Sequence, residues 1–600
     1  MKLNSDSSAC RAHLDTAPGA PVSDPAGVEF RPRTRRIGDR HSARCAPACP
    51  GPHLPLAIRT QTGHEEQIKH QAPTSTLQRS SKLQTPTRLV RRRFEVWSLV
   101  FLWSLVFGAW CFCPRAHAKQ NILLIIADDY GADSSSLYNT NTPGSIATLP
   151  PTPNITSLAT NGVVFRNAYA NPVCSPTRAC ILTGQHGFRS GIGDIVDNGV
   201  ALTASAFTLP EALTNAATGH AFSQFGKWHL ASGPNSPRTI GGWTNFAGTL
   251  QGAIANYTNW TKTVNGTSTA GNTNYATTEL VNDATNWITN KGTNAWFVWA
   301  AFNAPHSPFH NPPAALCPSY PLNTLTNSRR QFEAMIEAMD TEIGRLLSVV
   351  DRTNTHIIFI GDNGTPGGVI APPYSSGRAK DTLYEGGIHV PLVISSPSVI
   401  NPNRTNDTPV NAVDLFATIL EMAGTTVSAA VPATVKIDSK SLMSALQATN
   451  TIFRLAYSEE FGASVPASAG GRALRDDRYK LIRFNDGHDE FYDLQTDPTE
   501  LVNLNSTGTA EQKQYRDRLQ FWLYGYTTNT GVTISSAAHA SNQFSCTVTN
   551  PASYALWRCN DLATQFWSPV TNAVATTNGS VVTLSDPSAT AERSFYNVVK

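Results

Sequence analysis

A reactive side chain, a cation and a predicted helix start come together in one short stretch of the chain, Cys174–Gly184. Ser175 can cap a helix, Pro176 suits the first helical position, and Gly184 lies where a helix commonly ends. Cys174 would lie just outside the helix N-terminus, where the helix dipole favours an anion, and Arg178 follows four residues later. The stretch predicts an anion pocket that contains a reactive group, although these residues alone also allow a buried structural cysteine.

Side chains with oxygen ligands follow two of the apolar, strand-like runs. Asp128 and Asp129 come directly after one run, and Asp362 and Asn363 come directly after another. Open α/β sheets bind ligands at the carboxyl ends of their parallel strands, so these four side chains are expected at one edge. They offer only oxygen atoms, which hard cations such as Ca²⁺ or Mg²⁺ prefer. One such pair is often only a turn, but two pairs at two strand ends predict a metal site.

Cations and histidines lie next to the other predicted strands. Lys227 and His229 are two residues apart after one strand, so in an extended segment they point to the same side. His306 follows the next strand, and Lys380 precedes the last one. Each residue alone has an ordinary structural explanation, but together they bring positive charge and proton-transfer groups to the edge that holds the predicted metal site.

The elements that must position these residues are strands buried on both faces. Residues 330–350 and 410–423 show the apolar spacing of amphipathic helices. Strands that alternate with helices predict an α/β fold with a large, mostly parallel central sheet flanked by helices. The predicted strands are Asn121–Ala127, Ala221–Gly226, Ala295–Phe302, His356–Gly361 and Val390–Ser395.

Two segments differ from this pattern in composition. Residues 245–275 are rich in Asn, Thr and Gly, and they predict an irregular surface insertion near the site. After about residue 530 the chain is rich in Ser, Thr and Asn with short alternating runs, which predicts a separate small β module. A spacer or a module that binds glycan or a surface would both fit that composition.

Six blocks of this sequence resemble the type I sulfatases, the formylglycine-dependent, calcium-binding sulfatases of the alkaline phosphatase superfamily. Cys174-Ser-Pro-Thr-Arg178 followed by Leu182-Thr-Gly is similar to the family signature, and the metal, lysine and histidine blocks follow in the family's order. Residues 470–505 resemble the antiparallel subdomain that closes sulfatase chains. The resemblance covers roughly residues 120–505, and it implies an alkaline phosphatase-like sheet with a smaller C-terminal antiparallel sheet.

The resemblance implies a nucleophile and a metal centre. Cys174 would be oxidised by a formylglycine-generating enzyme to formylglycine (3-oxoalanine), whose hydrate attacks the sulfur atom. One Ca²⁺ per chain would be bound by Asp128, Asp129, Asp362, Asn363 and an oxygen of the modified Cys174. Asp362 would also take the proton of the nucleophile.

The remaining site residues take their implied roles from the same resemblance. Arg178 and His229 would hold the hydrate, and Lys227 and Lys380 would bind the sulfate oxygens. His306 would protonate the leaving oxygen. These roles match what a sulfate ester needs, because negative charge builds up on the bridging oxygen as the S–O bond breaks.

The implied activity is hydrolysis of a sulfate ester, either an aryl sulfate or a sulfated carbohydrate, to an alcohol and inorganic sulfate. A phosphodiesterase or phosphonate monoester hydrolase of the same superfamily remains an alternative, as does a catalytically inactive glycan-binding homologue. Against the inactive homologue, every expected catalytic position is filled. The block Lys227-Trp-His-Leu230 resembles the arylsulfatase B-like group, which favours a sulfated sugar. Substrate contacts are expected from residues 185–200, 230–275 and 307–325, with His310 and Arg238 as candidates.

Charge and hydropathy predict an exported protein that does not bind nucleic acid. The formal net charge is +3, but residues 1–93 contain 16 Lys+Arg and 7 Asp+Glu, so the remainder carries about −6. Arg91–Arg93, the apolar run 96–113 and Ala116-His-Ala118 have the order of a signal peptide, which implies a periplasmic or extracellular location. Membrane association is expected only if the run 96–113 is not cleaved. Cys546 and Cys559 are the most plausible disulfide pair.

The chain therefore divides into five predicted segments. These are a disordered or wrongly assigned extension (1–93), a signal peptide (94–118), a catalytic α/β domain (119–435), a C-terminal subdomain (436–527) and a small β-rich appendage (528–600).

Overall fold

The computed structural model describes residues 119–139, 149–196, 200–449 and 454–527, together with the strands between residues 534 and 599. The predicted extension and signal peptide lie outside the described residues. The predicted pair Cys546 and Cys559 lies where only the backbone is described. Within the described part of the chain, no helix is both long enough and apolar enough to cross a membrane.

A ten-stranded mixed sheet forms the centre of the fold, in the order β11-β2-β10-β9-β1-β8-β4-β5-β6-β7. The five adjacent strands β9, β1, β8, β4 and β5 are all parallel to one another. The strands are β1 Asn121–Ala127, β2 Gly162–Phe165, β3 Ala168–Tyr169, β4 Ala221–Lys227, β5 Asn245–Thr249, β6 Trp260–Val264, β7 Thr267–Asn272, β8 Trp296–Ala301, β9 Thr355–Gly361, β10 Leu392–Ser395, β11 Arg404–Asn406 and β12 Val410–Asn411.

Helices cover both faces of this sheet, which explains why β1 is an unbroken apolar run. Ile122, Leu124 and Ile126 pack into the core on one face, while Leu123 and Ile125 pack into the core on the other. Over all the described residues, including those beyond this sheet, the helices are Pro153–Thr160, Cys174–Thr183, Gly187–Ser190, Leu209–Asn215, Ser236–Thr239, Ala276–Thr289, Ser328–Leu347, Glu385–Ile388, Asp414–Met422, Val427–Ala430, Met443–Gln447, Leu504–Thr507 and Ala510–Thr527.

All five predicted strands are present, and the last one runs opposite to its neighbour. β10 pairs with β9 in the antiparallel direction. The amino end of β10 therefore lies at the sheet edge where β1, β4 and β9 end. This direction explains how Lys380, which precedes β10, reaches the same edge as residues that follow the other strands.

Two of the sequence expectations for this region were wrong. The segment 245–275 is not irregular, because it contains β5, which pairs in parallel with β4, and the hairpin of β6 and β7. Its Thr and Asn residues suit the exposed side of an edge hairpin, while Trp260 and Thr263 are buried. The predicted helix over 410–423 begins only at Asp414, because Val410 and Asn411 form β12 and pair with β3.

A four-stranded antiparallel sheet follows the main sheet, as the resemblance implied. It consists of β13 Ala456–Glu460, β14 Gly471–Arg475, β15 Tyr479–Phe484 and β16 Asp489–Asp493, paired in chain order. Further along, two small antiparallel sheets are formed by β17 Ile534–Ala540, β18 Gln543–Thr549, β19 Ala555–Cys559, β20 Ser568–Pro569, β21 Val574–Asn578, β22 Val581–Asp586 and β23 Phe595–Val599.

Candidate active site

Cys174 is the first residue of its helix rather than a residue just outside it. The helix spans Cys174–Thr183 and is preceded by the extended residue Val173. Ser175 does not cap it; its hydroxyl instead donates a hydrogen bond to the carbonyl oxygen of His229 at 2.9 Å. The helix ends at Gly184 as expected, with a left-handed φ of 68° that glycine adopts readily. The side chain of Cys174 is almost fully buried, and its sulfur lies 3.3 Å from His229 Nδ1.

The four predicted oxygen ligands are brought together at the carboxyl ends of β1 and β9. Asp129 follows β1 with a left-handed φ of 65°, and its backbone N–H donates to Asp362 Oδ1 at 3.1 Å. Asn363 Nδ2 donates to Asp129 Oδ1 at 2.8 Å. Ligand atoms of Asp128, Cys174 and Asp362 lie within 4.8 Å of one another. A non-glycine residue in this backbone conformation is energetically unfavourable, and such residues concentrate at functional sites.

Three cations pair with the three carboxylates from different sides. Arg178 donates from Nε and Nη2 to Asp362 Oδ2 at 2.9 and 2.6 Å. Lys227 Nζ donates to Asp128 Oδ2 at 2.6 Å, and Lys380 Nζ lies 2.7 Å from Asp129 Oδ1. The formal charges of these six side chains sum to zero, so the cluster together with a bound divalent cation would carry a net charge of +2.

Two buried oxygens in this cluster have no hydrogen-bond partner among the described residues: Asp128 Oδ1 and Asn363 Oδ1. An unpaired buried polar atom is costly, so each such atom needs an explanation. A bound hard cation would supply the missing partner, since both atoms are oxygens of the type that Ca²⁺ prefers. The residues present therefore fit a calcium site formed by Asp128, Asp129, Asp362 and Asn363.

The local charges shift the pKa values of the paired groups. Burial raises the pKa of Asp128, although Lys227 opposes this effect. Burial also acts to raise the pKa of Asp129, but Lys380, His306 and the hydrogen bond from Asn363 outweigh it and hold that pKa well below its usual value. Burial acts to lower the pKa of Lys380, and Asp129 overcomes this effect and raises it. Asp129 and Lys380 are therefore both charged.

His306 lies at the mouth of the site, opposite the buried pairs. Its Nε2 is 3.8 Å from Asp129 Oδ2, and its Nδ1 is 2.8 Å from the carbonyl oxygen of Ser307. A carbonyl can only accept, so Nδ1 carries a proton and Nε2 is the atom that exchanges protons with a ligand. This arrangement suits a general acid that faces the cavity.

A cavity of about 370 Å³ opens above Cys174. Lys380 and His306 line it, whereas Lys227, Arg178 and Asp362 do not and lie fully buried. The predicted rim segments contribute Ile195, Gly252, Ala253, Ser307 and Phe309, and the sequence analysis did not single out Pro366 and Asp381, which also line the cavity.

The two predicted rim contacts were wrong. His310 packs against Tyr257, with ring centroids 4.4 Å apart, and lies 3.1 Å from the hydroxyl of Tyr275. Arg238 does not line the cavity either. Asp381 could have been suspected because it directly follows Lys380, but no sequence pattern indicated Pro366.

Comparisons with known proteins agree with this geometry. A profile of the sulfatase family matches residues 120–425, and a profile described as N-sulphoglucosamine sulphohydrolase, C-terminal, matches residues 378–526. The chain is 26% identical over 523 residues to a protein named sulfatase from Formosa agariphila, a match that covers 70% of this chain and 91% of that protein.

A second relative is matched over a shorter length, and a solved structure shares the fold. The chain is 26% identical to N-acetylgalactosamine-6-sulfatase of Canis lupus familiaris, over 52% of this chain and 63% of that enzyme, so it spans less than two thirds of that relative. A solved structure of BT4656 in complex with its substrate D-glucosamine-2-N,6-O-disulfate shares the fold, with a TM-score of 0.55, 22% identity and coverage of 69% of this chain and 99% of that one. The sulfatase profile covers more than half of the 600 residues, and the chain therefore belongs to the sulfatase family, as a type I sulfatase of the alkaline phosphatase superfamily and a sulfuric ester hydrolase.

Proposed function

We propose that this enzyme removes sulfate from a sulfated carbohydrate, with a formylglycine formed from Cys174 and one Ca²⁺. The observation that carries the proposal is the juxtaposition of the Cys174 sulfur with three buried carboxylates and three cations, in a cluster where Asp128 Oδ1 and Asn363 Oδ1 accept no hydrogen bond from the described residues. The substrate class is supported by two similar proteins, which are named for a sulfated N-acetylgalactosamine and a disulfated glucosamine.

The modified residue would supply a hydroxyl nucleophile and a second hydroxyl for release of sulfate, and calcium would lower the pKa of that nucleophile and polarise the sulfate. His229 Nδ1 lies 3.3 Å from the sulfur of Cys174, so it would orient the modified side chain at the same position. Asp362 is held by Arg178 and can accept the proton of the nucleophile.

Positive charge and a proton donor complete the reaction. Lys380 lines the cavity and would bind a sulfate oxygen, while Lys227 is fully buried outside the lining and would act through its ion pair with Asp128. Preorganised cations of this kind stabilise the charge that develops in the transition state. His306 Nε2 faces the cavity and would protonate the leaving sugar oxygen.

The proposal includes a partner and a location. A formylglycine-generating enzyme must act on Cys174, and the signal-like segment that ends at Ala118 supports export to the periplasm or the medium. A mature protein whose first residue is Lys119, found by N-terminal sequencing of the exported enzyme, would agree with this location, and a retained residue 1 would contradict it.

Replacement of the nucleophile precursor tests the mechanism. Cys174→Ala should lower turnover of 4-nitrophenyl sulfate and of D-glucosamine-2-N,6-O-disulfate by at least about 1,000-fold, because the group that attacks sulfur is gone. Cys180→Ala is the matched control, since Cys180 is buried in the same helix and does not line the cavity. Full sulfatase activity in Cys174→Ala would disprove the mechanism.

Two further measurements separate the alternatives. Mass spectrometry of the tryptic peptide that ends at Arg178 distinguishes a thiol from an aldehyde at position 174. A panel that includes bis(4-nitrophenyl) phosphate and phenyl phosphonate monoesters should show slower turnover than the sulfates. Faster turnover of a phosphonate would reassign the enzyme to the phosphonate hydrolases of the superfamily.

A further inference from the structure

A second cavity lies directly beside the catalytic one. It has a volume of about 300 Å³ and is formed by residues 249–255 and by the hairpin of β6 and β7. Ala253 lines both cavities, and Gln251 and Asn259, at the surface of the second cavity, are exposed to solvent. The two cavities therefore adjoin at Ala253, which is itself exposed to solvent.

Backbone hydrogen bonds tie the second cavity to the catalytic segment. β5 runs parallel to β4 and ends at the same sheet edge. The N–H of Trp228 donates to the carbonyl oxygen of Thr249 at 2.9 Å, and the N–H of His229 donates to that of Leu250 at 3.0 Å. The position of the second cavity is thus fixed relative to the residue that contacts Cys174.

The wall between the two cavities is thin. Gly252 packs against the imidazole of His229, and a Cβ added at Gly252 would lie 2.4 Å from two ring atoms. Any side chain there would displace either the histidine or the strand connection. Gly252 lines the catalytic cavity and Ala253 lines both, so the two cavities adjoin at a pair of small residues.

The linings of the two cavities differ in chemistry. The catalytic cavity contains Asp129, Lys380 and Asp381, whereas no charged side chain lines the second cavity. Its polar groups are amides and hydroxyls, which both donate and accept hydrogen bonds, as sugar hydroxyls do. A sulfate group would find no cation there. The lining groups that carry this argument are Gln251, Asn259, Thr261, Thr263 and Ser268.

We propose that the second cavity is a binding subsite for an unsulfated sugar unit joined to the sulfated one, so that the enzyme acts on oligosaccharides in preference to monosaccharides. This inference rests on the proposed function, because it assumes that the catalytic cavity binds the sulfated sugar unit. Leu250, Ala253 and Ala255 contribute accessible apolar surface to the lining, as carbohydrate sites commonly combine an apolar surface with a few polar groups.

The double variant Gln251→Ala/Asn259→Ala tests the subsite, since both side chains are exposed and fold integrity is not expected to depend on them. The readout is the ratio of kcat/KM for a sulfated disaccharide to that for its sulfated monosaccharide unit. We expect a ratio of about ten or more in the wild type and a fall towards one in the variant, through KM. Turnover of 4-nitrophenyl sulfate should stay unchanged. Thr269→Ala, an exposed position of the same hairpin outside the lining, is the control.

The two proposals fail in different ways. A wild type that hydrolyses 4-nitrophenyl sulfate but shows a ratio near one overturns the subsite alone, as does a double variant that keeps the wild-type ratio. Saturation-transfer NMR with the neutral oligosaccharide neoagarotetraose tests the subsite without turnover. Signals that are present for the wild type and weakened for the double variant support it, and equal signals for the two proteins overturn it.

Discussion

One short stretch of sequence contributes to two buried charge clusters, and we propose only one of them as the reaction centre. Lys380 joins the catalytic cluster through Asp129, while Glu385, five residues later, joins a second cluster beneath the C-terminal sheet. In that second cluster, here called the Lys480 cluster, Lys480 Nζ lies 3.0 Å from Glu385 Oε1 and 2.8 Å from Glu500 Oε1. Both clusters are almost completely removed from solvent.

The clusters differ in how closely a cation approaches the carboxylate oxygen that lacks a hydrogen bond. In the Lys480 cluster, Glu385 Oε2 accepts from the hydroxyl of Tyr169 at 2.8 Å, and Glu500 Oε2 accepts from the backbone N–H of Glu385 at 2.6 Å. Glu500 Oε1 has its ion pair with Lys480, without the alignment of a hydrogen bond. In the catalytic cluster, Asn363 Oδ1 has no hydrogen-bond partner among the described residues, and Asp128 Oδ1 has only a distant contact with Arg178 Nη2 at 3.9 Å. Charge density alone therefore does not distinguish the two clusters, whereas poorly paired oxygens next to the Cys174 sulfur do.

Removal of the Lys480 side-chain charge should have the largest effect on stability of the changes considered for the two clusters. Lys480→Met leaves two buried carboxylates without their shared cation, so the free energy of unfolding should fall by about 3–5 kcal/mol. Urea denaturation measures this loss. Lys262→Met is the matched control, because Lys262 also pairs with two carboxylates, Glu279 and Asp283, but at a partly exposed position. Its loss should be under about 1 kcal/mol.

Equal losses in the two lysine variants would contradict the view that the Lys480 cluster holds the C-terminal sheet through buried charge. A smaller loss in Lys480→Met than in Lys262→Met would show that the two glutamates take up protons at little cost.

Calcium should stabilise the protein through the catalytic cluster only. A ligand that binds the folded state at 100 times its Kd adds about 2.7 kcal/mol to the free energy of unfolding, so Tm should rise when Ca²⁺ is returned to chelator-treated protein. Asp128→Asn should abolish most of that rise, because it removes a charged oxygen ligand. Glu500→Gln should keep it in full. A Tm rise that survives in Asp128→Asn would place the bound calcium elsewhere.

The sequence predicted the catalytic cluster well because its residues belong to strand ends. Asp128, Lys227 and Asp362 each follow an apolar run, and a parallel sheet brings such ends to one edge whatever the loops between them do. The direction of β10 could not be predicted from its composition, because a buried run reads the same in either direction. The predicted position of Lys380 at the edge of the site was nevertheless confirmed, because the antiparallel direction brings the start of β10 to that edge.

The Lys480 cluster and the second cavity could not be predicted in the same way. Lys480 belongs to β15, and its partners Glu385 and Glu500 lie in a short helix and a loop. No spacing rule relates such elements until the sheets are packed. The hairpin of β6 and β7 was predicted as irregular because its Thr-rich strands lack a continuous apolar face. Its amide-rich cavity depends on where that hairpin pairs with β5.

The smallest effect expected from this comparison is a pH dependence that belongs to the Lys480 cluster. Burial and the nearby charge of Glu385 raise the pKa of Glu500 to about 7 from its ordinary value of 4.5, although Lys480 opposes them. The folded state therefore binds the proton more tightly than the unfolded state does, and the stability contributed by Glu500 is complete below pH 4.5 and lost as pH rises to about 7. By contrast, Lys480 and His389 outweigh burial and lower the pKa of Glu385 to about 2, so its contribution is lost only in strong acid.

The wild type should consequently lose about 2.5 kcal/mol of stability between pH 5 and pH 8 relative to Glu500→Gln, which cannot ionise. The measurement is the difference between the two urea-denaturation curves at each pH, because other buried glutamates, such as Glu459 and Glu460, titrate in both proteins and cancel. Glu511→Gln, at an exposed position, should give no such difference. If the stabilities of wild type and Glu500→Gln keep a constant difference across this range, Glu500 is ionised throughout. The two glutamates and the one lysine of the Lys480 cluster then carry a net charge of −1 in the folded protein.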